Sequence, residues 1–161
     1  HSRQFFQCAL TLQEMSVVEK LGADLSGRVR DLGATTVVAP AMGGLVIGQE
    51  VARQLGIRFV FVEKENNTLA LRRGFSIDAD EKVLIVEDVV TQGGRVRETI
   101  DIVREHRGDL VGVALVVDRS NGAVDLGVPT FNLMQMEVET FAPDDLPTDL
   151  RNLPAVHPGS K

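Results

Sequence analysis

Residues 83–95 read VLIVEDVVTQGGR and decide the fold of this chain. Four apolar residues, 83–86, predict a buried strand, and the adjacent carboxylates Glu87 and Asp88 follow it. The glycine pair 93–94 then predicts a tight turn, and apolar residues at helical spacing predict a helix after it. The carboxyl end of a strand beside the amino terminus of a helix is where open α/β sheets bind ligands. We therefore expect a binding site at this junction.

The residue types at this junction restrict the chemical class of the ligand. Backbone N–H groups that a glycine turn leaves exposed favour a phosphate group. Two carboxylates beside a phosphate would repel it, unless the ligand also brings hydroxyl groups or a divalent cation. A phosphorylated sugar with a metal ion supplies both. The alternative is an ordinary strand–helix junction, although a single Asp would suffice to cap the helix.

The composition suits one domain with an aliphatic core. The chain has 161 residues, of which 43% are hydrophobic, and it contains neither Trp nor Tyr. A net charge of −6 without a basic block argues against a nucleic-acid surface. No apolar run approaches the ~20 residues of a membrane span, and no signal peptide is recognisable. Because Cys8 is the only cysteine, an internal disulfide is impossible, and we expect a reduced, cytoplasmic protein.

A second strand–turn–helix unit precedes the first. Residues 35–39 predict a strand and residues 45–55 a helix. The turn between them predicts a second anion site, because its two glycines allow close backbone approach. A simple tight turn remains the alternative. The turn consists of Pro40, Ala41, Met42, Gly43 and Gly44.

The other elements alternate in the same way. We predict a short strand at 5–10, a helix at 13–32 and a strand at 57–62. Residues 63–75 form a polar link, and its cations are Lys64, Arg72 and Arg73. Such a long connection is often functional, although a solvated hairpin with ordinary surface charge is the alternative.

The carboxyl-terminal half supplies a candidate for anion recognition. A predicted strand at 110–117 leads into Asp118 and Arg119. An Arg at the end of this strand points into the same crevice as the acidic pair, and it suits a substrate carboxylate. The alternative is a surface ion pair with Asp118. A last strand at 128–138 lies at an edge of the sheet, since a proline starts it.

The alternation of strands and helices predicts a single α/β domain over residues 1–141. Its sheet is mainly parallel and twisted, with helices on both faces. Residues 142–161 hold four prolines and predict an extended tail. Because the chain begins with His1 rather than Met, we expect its amino terminus to be incomplete or processed.

Residues 83–95 resemble the phosphoribosyl-pyrophosphate signature of type I phosphoribosyltransferases. The resemblance covers the whole chain and implies the fold of that family. It implies that Glu87 and Asp88 hold the ribose hydroxyls, and that the 40–44 turn binds pyrophosphate. It implies Mg²⁺ held mainly by the substrate, without an all-protein metal site. The 5′-phosphate would be bound by Thr91, Gln92, Gly93 and Gly94. Val89, Val90 and Arg95 of the same stretch are further expected substrate-binding residues.

Two further features resemble orotate phosphoribosyltransferases. In that family the backbone at the position of Phe5 and Phe6 contacts the pyrimidine ring, and the Arg at the position of Arg119 binds the orotate carboxylate. An amino-terminal helical segment usually precedes this region in that family, and we expect it to be missing from this sequence. The ending PAVHPGSK resembles a compact bacterial subgroup, in which a Cys-Pro-x-Cys pair often precedes it. That pair is absent here, so we expect no metal or disulfide in the tail.

The resemblance also assigns a role to the 63–75 link. In the family it closes over the substrate and supplies cations to pyrophosphate, partly at the site of the neighbouring subunit in a homodimer. Lys64 stands where the family has its first cation, but Asn67 occupies the place of a second Lys. The catalytic cation is therefore Lys64, Arg72 or Arg73.

Two other functions remain open. A purine phosphoribosyltransferase would share the fold, but purines have no carboxylate for Arg119 to bind. A regulator that senses 5-phosphoribosyl 1-pyrophosphate without turning it over would share the phosphate site. The acidic net charge and the lack of a DNA-binding segment disfavour such a regulator.

Overall fold

A six-stranded sheet forms the centre of the computed structural model, which describes residue 2 and residues 4–154. Its order is β3-β2-β1-β4-β5-β6, and all neighbouring strands pair in parallel except β2 and β3. The predicted mainly parallel α/β class is therefore confirmed. The strands are β1 Thr36–Pro40, β2 Arg58–Glu65, β3 Thr68–Leu71, β4 Lys82–Val90, β5 Asp109–Asp118 and β6 Thr130–Gln135.

Helices cover both faces of the sheet, as predicted. The helices of the described residues are α1 Cys8–Leu12, α2 Met15–Val29, α3 Gly44–Leu55, α4 Gly94–Glu105 and α5 Thr148–Arg151. Apolar residues of α1, α2 and α3 form one core cluster with one face of the sheet. The apolar stripe of α4 forms the other cluster, on the opposite face. A turn of 3-10 helix extends α2 to Leu32, and Gly33 ends it at a left-handed φ of 67°, as the sequence predicts.

The middle of the sheet is β4, which pairs with both β1 and β5. Its residues 83–86 are completely buried, which explains the uninterrupted apolar run in the sequence. The strand continues to Val90, so the acidic pair lies within its last part and not after it. Strict alternation would put Val86 and Val90 on one face, but they belong to opposite core clusters. The alternation therefore breaks at the acidic pair.

The predicted strand at 5–10 is wrong. Residues 4–7 lack regular structure, and α1 follows them. The buried residues of α1 are Cys8 and Leu12, which lie four positions apart and so share one helical face. Leu10, which the strand interpretation counted as part of the apolar run, is 65% exposed. Packing against α2 makes this segment helical. A six-residue apolar pattern could not distinguish a short helix from a short strand.

The 63–75 segment begins as a hairpin and not as an irregular link. The strand β2 runs on to Glu65, and β3 pairs with it antiparallel. Asn66 and Asn67 form the two-residue turn, with φ values of 46° and 76°. Positive φ at both central residues is the type I′ geometry that matches the twist of hairpin strands. The hairpin that the sequence left as an alternative is therefore present.

The last predicted elements are shorter than expected. The edge position of β6 is confirmed, but β6 spans Thr130–Gln135 and not 128–138. The short helix α5 lies inside the predicted extended tail, with Pro147 directly before its first residue. Residues 155–161 of the tail, like His1, lie outside the described residues. The boundary between a domain at 1–141 and a tail stays a prediction.

Two glycines in helices give a test of how tightly α3 packs on the sheet. A Cβ at Gly48 would lie 2.8 Å from the Cβ of Ala39 and 3.1 Å from the ring of Phe59. We expect Gly48→Ala to lower the free energy of unfolding by about 1–3 kcal/mol, because α3 would have to move away from β1. Urea denaturation measures this change.

The matched control is Gly27, which is exposed in α2, and a Cβ there would meet no neighbouring element within 4 Å. Gly27→Ala should raise the free energy of unfolding by about 0.5–1 kcal/mol, because the helical backbone loses less entropy on folding. Equal changes in the two variants would contradict close packing at Gly48.

Candidate active site

The register of β4 and β5 brings two predicted site segments together. Val90 pairs with Asp118 at the carboxyl end of both strands. The backbone N–H of Arg119 then donates to the carbonyl oxygen of Val90 at 2.8 Å. The backbone of Arg119 therefore lies directly beside Thr91, where the glycine turn starts.

A cavity of about 580 Å³ lies at this edge of the sheet. Both glycine turns and the acidic pair line it. Every lining residue except Val96 was predicted as a site residue from the sequence. The lining residues are Ala41, Met42, Gly43, Glu87, Asp88, Val89, Val90, Thr91, Gln92, Gly93, Gly94, Arg95 and Val96.

The 40–44 turn packs directly on the acidic pair, and its glycines make this approach possible. A Cβ at Gly43 would lie 2.6 Å from Oδ1 of Asp88. A Cβ at Gly44 would lie 2.8 Å from the carbonyl oxygen of Val86 and 3.1 Å from Oε1 of Glu87. Side chains at these positions would push the turn away from β4. Pro40 is buried as the last residue of β1, one position before the cavity lining, and the Ala41–Met42 peptide bond is cis.

The 91–94 turn leads into α4 with backbone donors available. Gly93 has a left-handed φ of 78°, and a Cβ there would lie 2.7 Å from Cγ1 of Val124. Both conditions favour glycine at this position. Within the described residues, no side chain caps the amino terminus of α4. Its first N–H groups and the positive end of its dipole therefore remain available to an anion.

Glu87 carries the most perturbed carboxyl group of the cavity. Its side chain is 5% exposed, and Oε1 accepts the backbone N–H of Asp88 at 3.0 Å. Burial first, and then the neighbouring carboxylate of Asp88, raise the pKa of Glu87 to about 9, while Arg95 opposes the shift. Oδ1 of Asp88 in turn accepts the N–H of Val89 at 2.7 Å. Two adjacent carboxyl groups in a sheltered cavity favour a ligand that brings positive charge or hydroxyl donors.

Arg119 is not paired with Asp118, so the ion pair considered from the sequence is absent. The Asp118 carboxylate instead accepts the Ser120 N–H at 2.8 Å, the Ser120 Oγ–H at 2.7 Å and the Gly122 N–H at 3.0 Å. Nη2 of Arg119 donates to the carbonyl oxygen of Gln4 at 3.2 Å. Nε of Arg119 is buried and has no hydrogen-bond partner among the described residues. The guanidinium therefore retains a buried donor for a ligand.

The segment before α1 lies beside this guanidinium. Phe5 is 51% exposed and Phe6 is half-buried, so neither is a fully packed core residue. Cys8, which the sequence did not single out as a site residue, is buried nearby. Burial, followed by Asp88 and Glu87, raises the pKa of its thiol to about 11, and Arg119 opposes this shift. A lone cysteine in an apolar stretch gives no sequence signal for this location.

The cations of the hairpin do not reach the cavity of their own chain. Nε of Arg72 lies 3.2 Å from Glu65, and Nε of Arg73 lies 2.9 Å from Glu63. Lys64 is exposed, and in the described part of the chain no carboxylate lies within ion-pair distance of it. None of the three lines the cavity. The structure therefore does not bring these three predicted site residues together with the acidic pair.

Residue 2 and residues 4–154 contain neither a ready metal cluster nor a membrane-spanning helix. No group of three or more of their His, Cys, Asp or Glu side chains is arranged to hold a metal ion. None of their helices is both long and apolar enough to cross a bilayer.

Glu87→Gln tests the protonation of the buried pair. Between the ordinary pKa of 4.5 and the folded value of about 9, the native state keeps a proton that the unfolded chain releases. The free energy of unfolding therefore falls as the pH rises through this window. The variant has no proton to lose, so its melting temperature should exceed that of the wild type by several degrees at about pH 8 and nearly match it at about pH 5.

Glu50 provides a control of opposite sign. It is buried in α3, and the hydrogen bond from Arg53 lowers the pKa of its carboxyl group. Its stabilising effect is present above the ordinary pKa and is lost as the pH falls, so Glu50→Gln should melt below the wild type at about pH 8. Identical pH profiles for Glu87→Gln and the wild type would contradict the raised pKa.

The chain matches the family model described as the phosphoribosyl transferase domain over residues 11–137. Among solved structures, an adenine phosphoribosyltransferase from Rhodothermus marinus superposes with a TM-score of 0.71 at 21% identity, covering 83% of this chain and 87% of that one. The orotate phosphoribosyltransferase of Mycobacterium tuberculosis H37Rv superposes with a TM-score of 0.68 at 18% identity, covering 82% and 79%. At these identities the two likenesses show the fold alone.

Sequence similarity distinguishes between the adenine and the orotate phosphoribosyltransferases as relatives of this chain. The orotate phosphoribosyltransferase of Pelotomaculum thermopropionicum is 50% identical over 161 residues, which are 100% of this chain and 85% of that protein. Together with the domain match and the cavity at the edge of the sheet, this similarity shows that the chain belongs to the orotate phosphoribosyltransferase family.

Proposed function

We propose that this chain joins orotate to 5-phosphoribosyl 1-pyrophosphate, giving orotidine 5′-monophosphate and pyrophosphate for pyrimidine nucleotide synthesis in the cytoplasm. One observation carries the proposal beyond family membership. Arg119 has a buried Nε without a partner among the described residues, at the same edge of the sheet as the acidic pair and the glycine turns. A carboxylate is the ligand group that a guanidinium fork binds best.

The proposed reaction forms a bond between a ring nitrogen of orotate and the anomeric carbon of the ribose, and it breaks the bond from that carbon to pyrophosphate. The proton of the ring nitrogen passes to the departing pyrophosphate or to solvent. Positive charge grows on the sugar and negative charge on the leaving group. The task of the site is therefore positional and electrostatic. Glu87 and Asp88 would hold the ribose hydroxyls and lie near the growing positive charge. The 91–94 turn and the amino terminus of α4 would bind the 5′-phosphate.

The acidic pair also fits a role beside Mg²⁺. Two adjacent carboxyl groups, one of them with a raised pKa, lie in the cavity beside the 40–44 turn that would receive pyrophosphate. Mg²⁺ prefers oxygen ligands and retains several that are not supplied by protein. It would be held mainly by substrate oxygens, with Glu87 and Asp88 nearby, and it would offset the charge of pyrophosphate. The protein residues would hold the sugar.

The position of the hairpin is consistent with a shared site in a homodimer. Lys64, Arg72 and Arg73 lie outside their own cavity, although pyrophosphate requires cations as it departs. Arg72 and Arg73 each pair with a glutamate of β2, whereas Lys64 has no ion-pair partner among the described residues. We therefore place Lys64 first among the three as the cation that acts on pyrophosphate, at the site of the neighbouring subunit.

The direct test is an ultraviolet assay of orotate consumption with 5-phosphoribosyl 1-pyrophosphate and Mg²⁺. Adenine and hypoxanthine serve as control bases. Consumption of orotate supports the proposal, and use of a purine base alone would overturn it in favour of a purine enzyme. Binding of 5-phosphoribosyl 1-pyrophosphate without turnover of any base would indicate a regulator.

Arg119→Ala tests which part of the site recognises the base. Loss of a charge-assisted hydrogen bond costs about 1.5–3 kcal/mol, so KM for orotate should rise by roughly 10–150-fold. KM for 5-phosphoribosyl 1-pyrophosphate should stay within about twofold, because the glycine turns are intact. Steady-state kinetics with each substrate varied in turn measure both values. Equal losses for the two substrates would remove Arg119 from base recognition.

Asp88→Asn tests the acidic pair. The amide oxygen can still accept the N–H of Val89, so the melting temperature should change little. The loss of negative charge beside the ribose should lower kcat by about 100-fold or more. Unchanged turnover in a folded variant would exclude Asp88 from the mechanism.

A further inference from the structure

We infer that Arg97 is a positioning residue that fixes the Gln92–Gly93 peptide group of the phosphate turn. This inference rests on the proposed binding of the 5′-phosphate at that turn. Arg97 lies in the first turn of α4 and does not line the cavity. It therefore acts on a ligand through the backbone and not by direct contact.

The side chain of Arg97 bridges two segments through their carbonyl oxygens. Nη1 donates to the carbonyl oxygen of Gln92 at 2.7 Å, and Nη2 donates to the carbonyl oxygen of Asp125 at 3.1 Å. The backbone N–H of Arg97 also donates to the carbonyl oxygen of Gly93 at 2.9 Å. Arg97 thus holds the turn by both its side chain and its backbone.

The hydrogen bond from Arg97 to the carbonyl oxygen of Gln92 also fixes the direction of the N–H of Gly93, because both groups belong to one planar peptide. In a trans peptide the C=O and N–H bonds point in opposite directions. The carbonyl of Gln92 points at the guanidinium, so the N–H of Gly93 points away from it. A rotation of this peptide group would replace a donor with a carbonyl oxygen, which repels a phosphate. Arg97 therefore keeps the donor side of the turn available to an anion.

Packing on Gly93 restricts the turn further. A Cβ at Gly93 would lie 2.7 Å from Cγ1 of Val124 and 3.0 Å from Nη1 of Arg97. Val124 and Asp125 belong to the segment that follows Arg119 along the chain. The bridge therefore joins the phosphate turn to the segment that follows the proposed base-binding residue, Arg119.

The role requires a guanidinium and not merely a positive charge. In the described part of the chain, no carboxylate lies within ion-pair distance of Arg97, which is exposed. Its contacts are two neutral oxygens in different segments, which a planar fork reaches together. The single ammonium of a lysine would not reproduce both bonds. Arg97→Lys should therefore restore only part of the function.

The test compares Arg97→Met and Arg97→Lys with Arg104→Met, a control on the exposed surface of the same helix. Loss of the bond to Gln92 should weaken ribose 5-phosphate binding by about tenfold in Arg97→Met, as measured by calorimetry. KM for 5-phosphoribosyl 1-pyrophosphate should rise by a similar factor, while KM for orotate and kcat change by less than about twofold. The affinity of Arg97→Lys for ribose 5-phosphate should lie between those of Arg97→Met and the wild type. The affinity of Arg104→Met should match that of the wild type.

The readouts separate this inference from the proposed function. Wild-type binding of ribose 5-phosphate by Arg97→Met would overturn the positioning role, as would equal changes in both KM values. Absence of ribose 5-phosphate binding by the wild type would overturn it as well. Absence of orotate consumption by the wild type would instead overturn the proposed function, because the inference is judged on ribose 5-phosphate binding.

Discussion

The parallel pairing of β4 with β1 and β5 is the constraint on which the site depends. Parallel strands deliver their carboxyl ends to one edge of the sheet, so segments distant in sequence meet there. The pair Val90–Asp118 sets Arg119 beside the turn that starts at Thr91. A shift of one residue in β5 would turn each of its side chains to the opposite face. The buried aliphatic residues of the strands therefore set the geometry of the polar site, although none of them carries its chemistry.

The acidic pair shows how closely packing and electrostatics are coupled here. Gly43 and Gly44 let the 40–44 turn approach the carboxyl groups, and this approach removes water from them. Removal of water disfavours the charged form, which is the main cause of the raised pKa of Glu87. A ligand with hydroxyl groups and a cation would offset this cost. The same glycines that shape the cavity thus make it favour a ligand of that kind.

Features made by contiguous residues can be predicted from the sequence, whereas features that depend on contacts between distant segments cannot. Residues 83–95 and the 40–44 turn could be recognised because apolar runs and glycines mark them locally. The bridge made by Arg97 could not, since carbonyl acceptors have no sequence signal and a surface arginine on a helix looks ordinary. The helix α1 was missed because packing on α2 decides it. The turn at Asn66 and Asn67 was recognisable from the sequence, since asparagine tolerates positive φ. The prediction of a polar link at 63–75 did not use that signal.

The two ends of the proposed site depend on different parts of the chain, and under the proposed roles this division explains how one fold accommodates different bases. The proposed phosphate end consists mainly of backbone groups, whose geometry persists when side chains change. An adenine phosphoribosyltransferase can therefore share this fold at 21% identity. The proposed base end depends on a side chain, Arg119, and on the segment at Gln4 that its guanidinium contacts. Because Arg97 bonds to carbonyl oxygens at both the 91–94 turn and the segment after Arg119, the inferred bridge would keep the two proposed ends at a defined separation while each can vary in sequence.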